Sequence, residues 1–176
     1  MDNASYPTDK IKENSHKFRP LGLGYANLGA LLMSMALPYD SDEGRDVAAA
    51  VTALMCGEAY AQSARVAERM GPFPGYEVNR EPMLDVIRMH RDAMCGIKPD
   101  HVQHELYMGA QEAWDEALEL GEKHGYKNSQ VTVLAPTGTI FFIFTSARSG
   151  SIPVVSQSIM KPIVPVGAST VTWEFL

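Results

Sequence analysis

Apolar and polar positions along this chain alternate with two distinct periods, one helical and one extended. Between Asp42 and Met70 the residues Val47, Val51, Leu54 and Met55 recur at helical spacing. Eight alanines between Ala48 and Ala67 favour helix and let a neighbour approach closely. The pattern predicts one helix over Asp42–Met70, about 40 Å long at 1.5 Å per residue. Asp40-Ser41-Asp42-Glu43 supplies capping oxygens and negative charge at its start. Gly71-Pro72-Phe73-Pro74-Gly75-Tyr76 breaks it. Glu81-Pro82 is expected to open the next helix, with proline in the first turn, Met83, Val86, Ile87 and Met94 inward and Arg88, Arg91 and Asp92 outward. Glu105–His124 reads as an acidic amphipathic helix with Leu106, Ala110, Ala113, Trp114, Ala117 and Leu118 inward, closed by Gly125 as a left-handed cap. Ala26–Leu37 is apolar almost all round and predicts a buried helix, stopped by Pro38. Residues 1–18 are polar and read as loop leading into a short helical turn.

The extended period appears twice. Phe18–Tyr25 carries a short apolar run with Gly22 and Gly24, and Val131-Thr132-Val133-Leu134 is a β-branched run that reads as a short buried strand. Two strand–helix units joined through Gly-rich turns predict an α/β layout with parallel strands. Pro136 ends the second run, because it has no N–H to give. Thr137, Gly138 and Thr139 then place two hydroxyls around the one residue without a Cβ, before Ile140. Such a turn can bring an anion to main-chain N–H groups, with more of them if a helix starts near Ile140. An ordinary strand-to-loop turn has the same composition.

Charge and composition narrow the classes. With 176 residues, 45% hydrophobic and 20% charged, the chain is long enough for one domain with a core. A net charge of −6 argues against a broad basic face for nucleic acid. There is no apolar run of membrane-spanning length and no signal sequence, so a soluble cytoplasmic protein is expected, with no membrane partner. Cys56 and Cys95 form neither a C-x-x-C motif nor a disulfide framework, and Cys56 reads as a small buried hydrophobe within a helix. Gly22-x-Gly24 lacks the third fingerprint residue, since Asn27 stands where Gly or Ala belongs, so no dinucleotide site is assigned. His101-Val-Gln-His104-Glu105 is not a zinc-protease arrangement and reads as polar residues at a helix start. His90 reads as a core-edge or surface histidine. No catalytic and no metal-binding residue is assigned.

Four motifs carry more than composition does: Asn14-Ser-His-Lys-Phe-Arg-Pro-Leu-Gly-Leu-Gly-Tyr-Ala-Asn-Leu-Gly29, Leu37-Pro-Tyr-Asp-Ser41, Gly71-Pro-Phe-Pro-Gly75 and Ala135-Pro-Thr-Gly-Thr-Ile140. In that order they resemble the large chain of adenosylcobalamin-dependent (class II) ribonucleotide reductases, from the N-terminus to about Ile140. The resemblance implies a helix-rich part of a ten-stranded α/β barrel over residues 1–140. It also implies reduction of the ribonucleotide 2′-carbon through a protein thiyl radical, begun by homolysis of the cobalt–carbon bond of adenosylcobalamin. It assigns the substrate's phosphate to Pro136, Thr137, Gly138, Thr139 and Ile140, and leaves the cobalamin contacts unassigned.

Departures from the family pattern shape the expectation further. The radical cysteine of the family lies in an Asn-x-Cys-x-Glu loop, and Leu54-Met-Cys-Gly-Glu58 has leucine where the asparagine belongs. The family's C-terminal cysteine pair has no counterpart. Residues 141–176 form an apolar tail with Ser151-Ile152-Pro153 in place of an Ile-Glu-Pro motif, which suggests a truncated, split or frameshifted product. The leading expectation is a reductase fragment that is inactive alone. The alternative is a non-catalytic module that completes a split reductase with a second chain, or a homodimer. A third reading is a phosphate-binding α/β domain of unrelated activity.

Overall fold

The computed structural model describes residues 4–134, and these fold around two long helices. Helix α3 (Asp42–Met70) runs beside α5 (His104–His124). Before them come α1 (Asp9–Phe18) and α2 (Leu28–Ser34), and between them α4 (Tyr76–Ala93) with two short 3-10 turns, Met94–Gly96 and Pro99–His101. The bounds of α3 are those the periodicity predicts. Ser41 caps it, its hydroxyl accepting the Gly44 N–H at 2.9 Å.

Small residues set how closely α3 and α5 approach. A Cβ on Gly57 would come 2.9 Å from the Ala113 Cβ, so the absence of one lets the two backbones pass closely there. Aromatic rings fill the space below. Tyr60 lies 6.1 Å from Trp114 and 5.6 Å from Tyr126, which in turn packs on Tyr76, centroid to centroid. The Tyr126 hydroxyl donates to the Ala117 carbonyl at 2.7 Å, so its one polar atom is satisfied in the core. Helix α4 covers the other side of α5 with buried Leu84 and Ile87, and Met94 follows in the first 3-10 turn. Gly125 closes α5 where the sequence places it and donates to the Gly121 carbonyl, but with φ 69° and ψ −164° it has a positive φ outside the left-handed helical conformation expected of it.

The α/β expectation is corrected by these elements. The described residues are helical apart from loops, and they contain a single isolated parallel bridge, Leu23 with Thr132, instead of a sheet. Pro20, Gly22 and Gly24 are poor strand formers, and a pair with no third neighbour has nothing to extend the ladder. The glycines serve a different purpose from a turn into a helix. A Cβ on Gly22 would sit 2.7 Å from the Val133 Cγ1, and one on Gly24 would overlap the Val133 carbonyl, so their absence lets the two segments lie together.

Three further expectations change. Residues 9–18 form a full helix, capped by Thr8, whose hydroxyl accepts the Ile11 N–H at 3.3 Å. Helix α2 buries only Leu32; Leu31 and Met33 are exposed, Met33 at 68%. Its apolar circumference reflects a face left uncovered among the described residues, which periodicity cannot distinguish from a buried one. Pro82 lies inside α4, seventh from its start, and not in the first turn. The N–H it lacks would have bonded the Val78 carbonyl, and Val78 is 84% exposed, so water can take that place.

Candidate functional site

The phosphate turn assigned from the motif, Pro136, Thr137, Gly138, Thr139 and Ile140, lies outside the described residues. So does the tail from residue 141 to residue 176. The described residues do hold the stem that runs into the turn, as far as Leu134.

That stem is fixed from its first residue. Lys127 N–H donates to the Ser63 carbonyl, Asn128 N–H donates to the Ser63 hydroxyl, and that hydroxyl donates back to the Asn128 side-chain oxygen, both hydroxyl bonds at 3.0 Å. The Asn128 amide nitrogen reaches the Arg19 carbonyl at 2.8 Å, and Ser129 N–H reaches the Phe18 carbonyl. A single asparagine thus ties α3 to the end of α1. Ser63 is the one buried polar residue among those described, and its bonds to this loop account for it. In the sequence Asn128 reads only as a loop residue; its partners are 65 and 109 positions away.

From there the stem runs parallel to residues 21–24. Leu21 N–H donates to the Gln130 carbonyl at 2.8 Å, Leu23 N–H to the Val131 carbonyl at 2.9 Å, and Val133 N–H to the Leu23 carbonyl at 2.8 Å. Val131 is buried, Thr132 half-buried and Val133 exposed. Beneath the pair, Cys56 Sγ lies 3.1 Å from Thr132 Oγ1, and the Tyr25 hydroxyl 2.8 Å from Thr52 Oγ1. Burial pushes the Cys56 thiol up from its ordinary value, against a smaller opposing effect of the Thr132 bond, so it stays protonated at neutral pH. It is half-buried and hydrogen-bonded, which refines its reading as a plain apolar filler.

The remaining candidates are structural. His90 stacks on the Trp114 ring at 5.4 Å and 21°, a core-edge histidine, and burial lowers its pKa. His101 Nδ1 pairs with Asp46 Oδ2 at 2.6 Å, linking the second 3-10 turn to α3, while His104 begins α5. The concavity bordered by Arg91, Asp115, Leu118, Glu119 and Glu122 holds about 250 Å³ and is crossed by the Arg91–Asp115 ion pair. No helix among the described residues is long and apolar enough to cross a membrane.

The sequence has counterparts among known proteins. The family model described as "Ribonucleotide reductase, barrel domain" matches residues 1–172, and the chain belongs to that family. The match continues past Ile140, where the motif resemblance stopped. Among relatives, the vitamin B12-dependent ribonucleotide reductase of Rhodopirellula baltica is 52% identical over 156 residues, covering 89% of this chain and 15% of that protein. The protein of the same name from Agrobacterium fabrum is 49% identical over 165 residues, covering 85% of this chain and 13% of its own length. A ribonucleoside-diphosphate reductase large subunit from Ostreid herpesvirus 1 is 32% identical over 134 residues, covering 73% of this chain and 15% of that protein. This chain therefore spans only a small section of the relatives it matches.

Proposed function

We propose that this chain is a section of a vitamin B12-dependent ribonucleotide reductase, an oxidoreductase that converts ribonucleotides to deoxyribonucleotides for DNA synthesis in the cytoplasm. Adenosylcobalamin is the cofactor of the whole enzyme. The section's own contribution is to hold the substrate's phosphate with Pro136, Thr137, Gly138, Thr139 and Ile140. Supporting this is the anchored stem: residues 127–133 are bonded to α1, α3 and the 21–24 segment, a degree of fixing that an idle loop does not need. A phosphate site needs that rigidity, because hydrogen bonds to an anion reward donors already in place. The Thr137 and Thr139 hydroxyls would donate to phosphate oxygens, and Gly138 would let main-chain N–H groups come close.

No cobalamin contact is assigned to residues 4–134. His90 lies flat on Trp114 and His101 is engaged by Asp46, so both rings are already committed within the fold. No step is assigned to the cofactor through these residues.

The test is titration of the 176-residue chain with a ribonucleoside diphosphate and a triphosphate, against the Thr137→Val/Thr139→Val double variant. Loss of two charge-assisted bonds is expected to weaken binding by at least about tenfold. Equal affinity of variant and parent would remove the turn from the site.

One observation favours the second reading, a module completed by another polypeptide. Residues 20–39 carry no charged side chain, and Leu21, Leu23, Leu31, Met33 and Val133 are exposed. This face is suited to the other polypeptide of a split reductase. A separate chain bearing the Asn-x-Cys-x-Glu loop should co-purify with this one, whereas a continuous reading frame through both removes that reading.

A further inference from the structure

Helix α4 carries two apolar faces, and α5 covers only one of them. Leu84 and Ile87 are buried on the inner side. Turned away from them, at i, i+4, i+8, i+11 and i+15, stand Val78, Pro82, Val86, Met89 and Ala93. Residues at that spacing keep to one side of a helix. Val78 is 84% exposed and Val86 37%, Pro82 is exposed, and Met89 and Ala93 are half-buried. Pro82 also leaves the Val78 carbonyl without its helical donor, so this face offers a main-chain acceptor as well. An acidic row runs beside the stripe, one position before each of four of its members: Glu77, Glu81, Asp85 and Asp92, all exposed. The three arginines of α4 offset this row only in part, because each is shared with α5. Arg80 donates to the Glu122 carbonyl at 3.1 Å, Arg88 to the Glu122 carboxylate at 3.0 Å, and Arg91 pairs with Asp115. Arg80 and Arg88 also meet Glu81 and Asp85.

We propose that the outer face of α4 is a docking surface for an amphipathic helix of a different polypeptide, one with apolar residues at matching spacing and lysine or arginine beside them. The stripe from Val78 to Ala93 is then buried between two helices, and the basic flank of the partner faces Glu77, Glu81, Asp85 and Asp92. Charge selects this occupant. A second copy meeting the face antiparallel across a two-fold axis sets acid against acid, and the whole chain carries a net charge of −6. Nucleic acid and anionic membrane surfaces meet the same repulsion. The surface is separate from the uncharged residues 20–39 and from the phosphate turn, and rests on neither reading.

The test titrates the 176-residue chain with two labelled helical peptides as long as α4. Both carry leucine at i, i+4, i+8 and i+11; one has lysine beside the leucines and the other glutamate. The lysine peptide is expected to bind at least about tenfold more tightly, and its binding should weaken as salt is raised. Val78→Glu/Val86→Glu should weaken it by at least about tenfold with little change in urea midpoint, since both side chains face solvent in the free chain. Glu81→Lys/Asp85→Lys should reverse the preference between the peptides, and carries the test alone if the valine variant fails to fold. Equal binding of the two peptides by the parent, or undiminished binding of the lysine peptide by Val78→Glu/Val86→Glu, would overturn the proposal. So would dimerisation of the chain by itself in sedimentation, abolished by the valine variant, because it would make a second copy the occupant.

Discussion

Gly121 and Gly109 share α5, yet their surroundings give opposite expectations for the same substitution. A Cβ on Gly121 would overlap the Tyr126 hydroxyl and push it from the Ala117 carbonyl. Alanine there gains about 1 kcal/mol of helix propensity. It also overpacks a buried ring and breaks a buried bond, each costing about 1–3 kcal/mol. The losses win, and Gly121→Ala should destabilise the chain by about 2 kcal/mol in urea unfolding. At Gly109 a Cβ would meet the Leu54 Cδ1 at 3.7 Å, an ordinary contact. Gly109→Ala should be neutral or stabilise by up to about 1 kcal/mol. Equal effects at the two sites would mean the Tyr126 packing is misread. The sequence shows two glycines on one helix and cannot rank them, since the ranking belongs to a tyrosine five residues beyond one of them.

At the scale of elements, α3 follows from its own sequence and α4 from its neighbours. Alanine content, a Ser41 cap and a Gly71 terminator all agree for α3. In α4 the apolar positions Leu84 and Ile87 pack on α5 and keep the helix continuous through Pro82. Local chemistry alone would start it at the proline. Tertiary burial outweighs the missing bond because Val78 opens to water. Restoring the N–H with Pro82→Ala should therefore raise stability, by up to about 3 kcal/mol, with unchanged helix content by circular dichroism. A drop in stability would show that the proline relieves some other conflict. The 20–25 and 130–134 segments illustrate the converse. Their alternation is that of strands, and they pair in parallel, but one bridge with glycine on one side makes no sheet among the described residues.

For the whole molecule, pH links a single ring to global stability. Burial beside Trp114 holds His90 below its ordinary value of 6.5. The unfolded chain then takes up a proton first as the medium is acidified. The stability His90 contributes is present above pH 6.5 and is lost as pH falls through its folded-state value. His90→Gln, which cannot titrate, should show a shallower loss of urea midpoint between pH 7 and pH 5. An unaltered slope would place the acid sensitivity elsewhere.

Much of this protein is written locally. The Asp42–Met70 helix, the closing glycine at position 125 and the ordered motifs that mark the ribonucleotide reductase family depend on neighbours within a few residues or on identity alone, and are legible without coordinates. The stem of the candidate site is different. Asn128 reaching Ser63 and Arg19, Thr132 reaching Cys56, and Gly24 yielding to the Val133 backbone are contacts between residues tens of positions apart. Composition and periodicity record what each segment prefers on its own. Which segments meet was decided only when α3 gave both extended runs a common surface.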